Sequence, residues 1–353
     1  MRKVLITTGG TGGHIYPALS LAKKLKDKGV ELFFVGTNSR MEKDIVPENG
    51  YKFYGLPINP LRKIDGIWSI IKSTFLAIKL IKDEKPDAII GFGNYISVPA
   101  LLAGFYNKKK VYIHEQNIEL GLANRFFCRF VDKMFLSFDE TFNTLPVKYQ
   151  GKLFVTGNPV REDFYKVDRE KVRESLKLAD DEKMLLIIGG SLGAKIINEK
   201  ILENWNRFYK EKKLRVYWAT GRDKFEEINK NIFKMKKDDV IRPYFENMAE
   251  IMSASDLILC RAGASTVSEI IETNKPSIFI PYNYVGQEKN ARALEGIGGS
   301  LIYSEDRLNE AINEIFSLLR DEEKLHRMSR CLKKLRKGDS ALKIAEEIDI
   351  WRK

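Results

Sequence analysis

Of the three histidines in the chain, His14 has the strongest case for chemistry. It closes the run GGTGGH at Gly9–His14, which follows a short apolar stretch beginning at Val4 and leads into a helix. That placement puts an imidazole at the mouth of a sheet, where a ligand would lie, and an imidazole near its ordinary pKa suits a general base at neutral pH. A bare helix cap is the other reading. His114, in HEQN at the end of a strand-like run, reads equally as a buried hydrogen-bonding histidine, and His326, among charged residues, reads as solvent-facing.

Two further stretches read as phosphate seats, although close strand-to-helix packing also selects glycine at such turns. Met184–Ala194, MLLIIGGSLGA, is an apolar strand ending in glycines and entering a helix from Ala194 onward. Glycines let backbone N–H groups approach an anion, and the helix N-terminus behind them adds unpaired donors and partial positive charge. Cys260–Glu272, CRAGASTVSEIIE, is a second small-residue turn into a helix, with the Ser265 and Thr266 hydroxyls in its first turn. Glu269 projects one turn further on, where a carboxylate can accept from a ribose diol or simply favour the helix dipole. Gln287 and Asn290 stand three apart in GQEKNA, and amides that donate and accept suit sugar hydroxyls. Carboxylates are not clustered as a metal site needs and there is no Asp-x-Asp triplet, so helix N-termini and basic groups such as Arg161 are expected to neutralise phosphate, with no metal and no cofactor.

These groups need a rigid frame, and the hydrophobic pattern supplies one. Short apolar runs alternate with helical patterns, which predicts parallel sheets flanked by helices, an α/β fold. Strands are expected at Glu31–Val35, Asp87–Ile90, Val111–Ile113, Met134–Ser137, Leu153–Thr156, Met184–Ile188, Arg215–Ala219, Asp256–Leu259 and Ser277–Pro281. Pro17 is expected to open the first helix, with Ala18, Leu21, Ala22 and Leu25 on one face and Gly29 as its stop. The repeat of a strand–glycine–helix opening predicts two similar domains, 1–158 and 159–337, with the crossing in GNPVR at Gly157–Arg161. From about Glu305 the chain is expected to be helical and charged.

Length and composition agree. At 353 residues with 44% hydrophobic content the chain can bury two cores. Sixty Lys+Arg against 48 Asp+Glu give a net charge of +12, which favours anionic partners. Three widely spaced cysteines fit neither a disulfide framework nor a zinc site and suggest a reducing cytoplasm. Neither a signal peptide nor a membrane-spanning run is expected. The stretch Ile64–Lys82 is unusual. On a helical wheel Ile67, Ile71, Ile78 and Ile81 form an expected buried stripe, while Trp68 and Phe75 lie beside it with Lys72 and Lys79. Large apolar residues interleaved with lysines fit a helix resting on an anionic bilayer surface, or else lysine stems packed over surface aromatics.

Seven motifs in order, GGTGGH at Gly9–His14, GFGNYISVP at Gly91–Pro99, HEQN at His114–Asn117, GNPVR at Gly157–Arg161, GGSLGA at Gly189–Ala194, RAGASTVSE at Arg261–Glu269 and GQEKNA at Gly286–Ala291, resemble one family. It is glycosyltransferase family 28, the peripheral membrane N-acetylglucosaminyltransferases of bacterial peptidoglycan synthesis. The resemblance implies two Rossmann-like domains facing across a cleft, the GT-B fold, with residues 338–353 packing back on the first domain. It implies transfer of N-acetylglucosamine, with inversion and without a metal, from UDP-N-acetylglucosamine to the 4-hydroxyl of the muramic sugar of lipid I, at the cytoplasmic face of the cell membrane. On the donor side it places Gly190, Ser191, Ala264, Ser265 and Thr266 at the diphosphate, Glu269 at the ribose, Phe245 and Met248 beside the uracil and Gln287 at the sugar, with Thr11, Gly12, Gly13, Asn117, Arg161 and Asn290 completing the set. Toward lipid I it places Thr11, His14, Tyr95, Glu115, Asn117 and Asn124, and it makes the Trp68, Lys72, Phe75 and Lys79 face the membrane patch. Three positions depart from the family pattern: Leu192 stands where a glutamine is common, Asn94 replaces a glycine, and Gly286 precedes Gln287 where His or Gln is frequent.

The implied reaction needs a base for the acceptor hydroxyl. His14 is the candidate and Glu115 its rival, while helix N-termini would take the charge that builds on UDP. The nearest alternative is sugar transfer to diacylglycerol on the same fold. A UDP-sugar epimerase would form product without acceptor, and a non-catalytic anion-binding protein would show no turnover. Nucleic acid is disfavoured as a partner because aromatic and basic residues do not interleave into a stacking platform.

Overall fold

The computed structural model describes residues 2–60, 64–190, 193–232, 234–282 and 286–350. The chain divides into two compact units, Met1–Arg161 with Lys337–Lys353, and Glu162–Arg336. The first holds a parallel sheet of β1 (Lys3–Thr7), β2 (Glu31–Thr37), β3 (Lys52–Leu56), β4 (Ala88–Gly91), β5 (Lys110–Glu115), β6 (Lys133–Leu136) and β7 (Leu153–Val155), in the order β3-β2-β1-β4-β5-β6-β7. The second holds β8 (Lys183–Ile188), β9 (Leu214–Ala219), β10 (Val240–Arg242), β11 (Leu257–Cys260), β12 (Ser277–Phe279) and β13 (Ser300–Ile302), in the order β10-β9-β8-β11-β12-β13. In each sheet the order reverses beside the first strand, between β1 and β4 and between β8 and β11. That reversal splays the loops at the carboxyl ends of the strands and leaves a crevice there, the place where such sheets take their ligands. Both glycine turns fall at these points.

In the first unit helices cover both faces of the sheet. Helix α1 (Gly12–Asp27) buries Ile15, Ala18, Leu21, Ala22 and Leu25 against one face, where Ile344, Ala345 and Ile348 of the C-terminal segment join the same core. The helix Ser340–Glu347 packs on α1, and Lys24 pairs with Asp339 at 2.9 Å. The short helix α2 (Glu42–Glu48) follows β2, and on the other face Ile70, Ala77 and Ile81 of α3 (Ile64–Glu84) pack with Ala100, Leu101 and Ala103 of the helix Val98–Tyr106. The second unit has a core of its own, in which Leu185, Ile187 and Trp218 of the sheet meet Ile312, Ile315 and Phe316 of the helix Leu308–Arg320.

Several expectations need correction. Helix α1 begins at Gly12, so Pro17 lies inside it; Thr11 is extended, and its carbonyl accepts from His14 N and Ile15 N and starts the helix there. The edge strands β3, β10 and β13 are additions, short or mixed in polarity and paired on one side only. The inward face of α3 is also different. Ser69, Ile70, Ser73, Ala77 and Ile81 are buried, whereas Ile67 is 55% exposed and Ile71 41%. Small residues on that face let α3 lie close to its neighbouring helix, which turns the isoleucine stripe partly outward.

Candidate active site

At the end of β1 the chain makes its first glycine turn. Gly10 has φ +91, a left-handed conformation that glycine adopts without strain. Gly10 N donates to Glu42 Oε2 at 3.0 Å, and Asn94 Nδ2 donates to Gly9 O at 2.5 Å. Asn94 itself sits at φ +53, a backbone conformation that favours glycine, and its Oδ1 accepts from Ile96 N at 2.8 Å. With ψ at 177 this lies outside the αL well, in a region that glycine fills most easily, and the local bond from Ile96 N helps to hold it.

His14 is half-buried in the first turn of α1, and its Nδ1 lies 3.0 Å from Gln116 Oε1. Because the amide oxygen can only accept, Nδ1 carries the proton and Nε2 keeps its lone pair. Burial lowers the pKa of His14, while the bond to Gln116 opposes the shift. The ring is therefore neutral at pH 7. Gly93 makes room for the pair: a Cβ there would lie 3.1 Å from Gln116 Oε1 and 3.3 Å from His14 Cε1.

Glu115 and Asn124 take a different role. Glu115 is buried, and its Oε1 accepts from Asn117 N at 3.0 Å and Asn117 Nδ2 at 3.3 Å. Its Oε2 accepts from Gly121 N at 3.0 Å and Asn124 Nδ2 at 2.9 Å. Burial raises its pKa against the opposing pull of these bonds. A carboxylate so committed braces the loop after β5 and has little left for a substrate proton. Asn124, also buried, donates in addition to His114 O at 3.0 Å. Tyr95 packs against the core with its hydroxyl buried, while Thr11 is exposed at the helix start. His114 is a core residue: it is fully buried, stacks on Phe92 at 5.3 Å and bonds Gly157 O through Nε2 at 3.2 Å. His326 is exposed.

In the second unit β8 runs into Gly189 and Gly190, and Gly193 N returns to Gly190 O at 3.0 Å. Ser191 and Leu192 lie outside the described residues. Gly193 has φ +79, and a Cβ on it would meet Thr220 O at 2.2 Å. A Cβ on Gly189 would meet Ala194 N at 2.2 Å. No other residue fits either position. Ala194 then caps the helix Lys195–Glu203, and the buried Asn198 ties it to the neighbouring loop by donating to Thr220 O at 2.7 Å and accepting from Trp218 Nε1 at 3.1 Å.

Next to this turn, β11 leads through Arg261 and Gly263 into the helix Ala264–Thr273, whose first turn carries Ser265 and Thr266. Glu269 is half-buried further along the same helix. Gln287 Nε2 lies 4.0 Å from the Cβ position of Gly263, and Gln287 Oε1 accepts from Tyr282 N at 3.1 Å, so this amide is held beside the helix start. Asn290 is fully buried and donates to Ala262 O at 3.4 Å, so it supports the turn that leads into this helix. Phe245 and Met248 are nearly sealed inside the unit, Phe245 against the Tyr217 ring at 5.7 Å, and so present little surface to a base. Arg261 bonds Ile280 O at 3.0 Å and pairs with Glu305 at 2.5 Å. Arg161 ends the first unit and is half-buried.

The outer face of α3 carries Ile67, Trp68, Ile71, Phe75 and Leu76, all exposed, with Lys72 and Lys79 exposed among them. Trp68 and Phe75 are each about two-thirds exposed, at 67% and 68%. Among the described residues no helix is long and apolar enough to cross a membrane, and no group of three His, Cys, Asp or Glu could hold a metal ion.

Sequence reasoning missed Gln116, Glu42 and Asn198. Gln116 had a signal, since it follows Glu115 at the carboxyl end of β5, the strand next to β4. Glu42 had none, because a glutamate opening a short helix reads as a dipole effect.

Comparison with known proteins adds an independent line. Residues 4–136 match the glycosyltransferase family 28 N-terminal domain and residues 184–346 its C-terminal domain. A protein of Fusobacterium nucleatum named UDP-N-acetylglucosamine--N-acetylmuramyl-(pentapeptide) pyrophosphoryl-undecaprenol N-acetylglucosamine transferase is 48% identical, over 100% of this chain and 99% of its own length. The protein of the same name from Halothermothrix orenii is 36% identical, over 95% of each. Among solved structures, the crystal structure of Acinetobacter baumannii MurG superposes with a TM-score of 0.79 at 28% identity, covering 98% of this chain and 99% of that one.

Proposed function

The chain belongs to glycosyltransferase family 28, and with that as the premise we propose that His14 is the general base of its sugar transfer and the glycine turns of the second unit its UDP seat. The enzyme is a UDP-N-acetylglucosamine-dependent hexosyltransferase that moves N-acetylglucosamine to the 4-hydroxyl of the N-acetylmuramyl sugar of lipid I, giving lipid II for peptidoglycan synthesis. Transfer to diacylglycerol is not favoured, since the relatives are named for the muramyl acceptor.

The hydrogen bond that His14 Nδ1 donates to Gln116 Oε1 carries the mechanism. With the proton held on Nδ1, Nε2 keeps its lone pair and can take the proton of the acceptor hydroxyl as that oxygen attacks the anomeric carbon from the face opposite UDP. Negative charge then collects on the departing diphosphate. The amides at the starts of the helices Lys195–Glu203 and Ala264–Thr273, with the Ser265 and Thr266 hydroxyls, are fixed in place to receive it. Glu269 holds the ribose and Gln287 the sugar. Glu115, Asn117 and Asn124 shape the acceptor loop by bonding one another. The exposed apolar and lysine face of α3 rests on the anionic cytoplasmic surface of the membrane, where the lipid-linked acceptor lies.

The test is transfer of labelled N-acetylglucosamine from UDP-N-acetylglucosamine to a short-chain lipid I analogue, with the product's anomeric configuration read by NMR. A β-linked disaccharide supports the reading. Tight UDP-sugar binding with no transfer to lipid I would overturn the acceptor assignment, and product formed without acceptor would point to epimerisation.

A further inference from the structure

The peptide that joins Gly9 to Gly10 is held at both ends. Its oxygen accepts from Asn94 Nδ2 and its N–H donates to Glu42 Oε2. The other oxygen of Glu42 accepts from Thr37 N at the end of β2, at 3.1 Å. One fully buried carboxylate therefore ties the loop after β1 to the end of the next strand. A buried carboxylate is tolerated only where such bonds are made, and a charged acceptor makes them stronger than neutral ones. The surroundings admit nothing else. A Cβ on Gly9 would lie 2.3 Å from Glu42 Oε1, and one on Gly36 would lie 2.8 Å from Glu42 Cγ. From the opposite side Asn94, at the end of β4, is locked in its left-handed conformation by the bond from Ile96 N. Three strand ends thus converge on a single diglycine peptide, which without them could rotate freely.

That peptide immediately precedes Thr11, whose carbonyl opens α1 and accepts from His14 N at 3.1 Å. We infer that Glu42 and Asn94 are positioning residues for His14: by fixing the plane of the Gly9–Gly10 peptide they fix where α1 begins, and with it where the imidazole stands. The inference rests on the reading of His14 as base. Neither residue touches a reacting atom; both act through the backbone. A displacement of the base by about 1 Å is enough to slow a reaction roughly 100-fold.

Three variants and one double variant test this. Glu42→Gln keeps shape and one acceptor but sets an NH2 against a backbone N–H. Glu42→Ala empties the site. Asn94→Gly keeps the left-handed backbone and removes the tether. With lipid I analogue and UDP-N-acetylglucosamine, kcat of Glu42→Gln should fall about 10- to 100-fold, with the dissociation constant for UDP within about twofold of wild type. Formate should restore part of the kcat of Glu42→Ala, which a merely loosened fold would not show. Because both side chains hold one peptide, the loss in the double variant Glu42→Gln/Asn94→Gly should be smaller than the product of the single losses. A kcat of Glu42→Gln equal to wild type, a loss matched by an equal loss of UDP affinity, or strictly multiplicative losses would overturn the inference. Should the wild type fail to transfer to lipid I, the base reading itself falls, and the clamp is then judged on the Gly10 amide proton. An upfield move of that resonance in Glu42→Gln supports the clamp, and an unmoved resonance overturns it.

Discussion

His14 Nδ1 and Gln116 Oε1 stand 3.0 Å apart, one at the start of α1 and the other just past the end of β5. The pair joins two loops on either side of the switch point of the first sheet and sets the tautomer of the ring. Its partner in the HEQN run, His114, turns the other way into the core and bonds Gly157 O. His114 in β5 is thus committed to the core, and the base role is assigned to His14 at the start of α1.

The pH dependence follows from the direction of the His14 shift. Burial lowers its pKa below the ordinary 6.5, so the neutral form persists to lower pH and the acid limb of kcat/KM for acceptor should lie below pH 6.5. The bond to Gln116 raises the pKa, so Gln116→Leu should move that limb to still lower pH while kcat drops about tenfold through loss of ring orientation. A limb at or above 6.5 in the wild type would contradict this.

The donor turn depends on Gly193. An alanine there would combine φ +79 with a Cβ 2.2 Å from Thr220 O, a clash with backbone that no side-chain movement relieves. Gly193→Ala should cost about 1–3 kcal/mol of stability and weaken UDP binding about tenfold or more as the N-terminal amides lose their alignment. Isothermal titration with UDP and chemical unfolding read both effects. Unchanged UDP affinity in a folded variant would remove this turn from the donor site.

Membrane attachment should depend on the outer face of α3. Replacing Trp68 and Phe75 together by serine should reduce binding to vesicles containing anionic lipid by about tenfold or more, and Lys72→Ala with Lys79→Ala should remove much of the salt dependence, at about 1 kcal/mol per lysine. Vesicle sedimentation at two salt concentrations separates the two parts. Binding unaffected by the aromatic pair would place the contact elsewhere.

Lys275 gives a prediction about stability. It is buried, and desolvation lowers its pKa to about 7, with Arg169 and Arg173 adding to the shift and Asp256 and Glu170 opposing it. The unfolded chain keeps its proton to about pH 10.4. Between those values the unfolded state binds more protons, so wild-type stability rises with pH. Lys275→Met removes the desolvated amine and should be roughly 3 kcal/mol more stable at pH 7, with the gap narrowing toward pH 10. Urea unfolding across that range checks the sign, and a less stable methionine variant would contradict it.

The frame of this molecule was legible because its buried parallel strands are short apolar runs and each switch-point turn is glycine-rich, both local properties. What escaped was set by long-range pairing. The strands β10 and β13 have three residues each and owe their extension to a single neighbour. On α3 the more apolar stripe is not the buried one, since close helix packing is made by Ser69, Ser73 and Ala77 while Trp68 and Phe75 stay outside. Among the site residues, amides were the hardest to assign. Gln287 is held beside the second-unit helix start, whereas Asn124 and Asn290 are buried and spend their donors on backbone or on Glu115. The residue type fixes what an amide can bond, and only the fold decides which way it points. Glu42 belongs to the same class: nothing near it in the chain announces that Gly10 N is its partner.

The base role of His14 is tested most directly by the rate of N-acetylglucosamine transfer to a lipid I analogue by His14→Ala, measured beside its affinity for UDP. A base that takes the acceptor proton contributes about 10²–10⁴ in rate, so kcat should fall by that factor while UDP binding stays as in the wild type. Transfer by His14→Ala at the wild-type rate would contradict the assignment of the base.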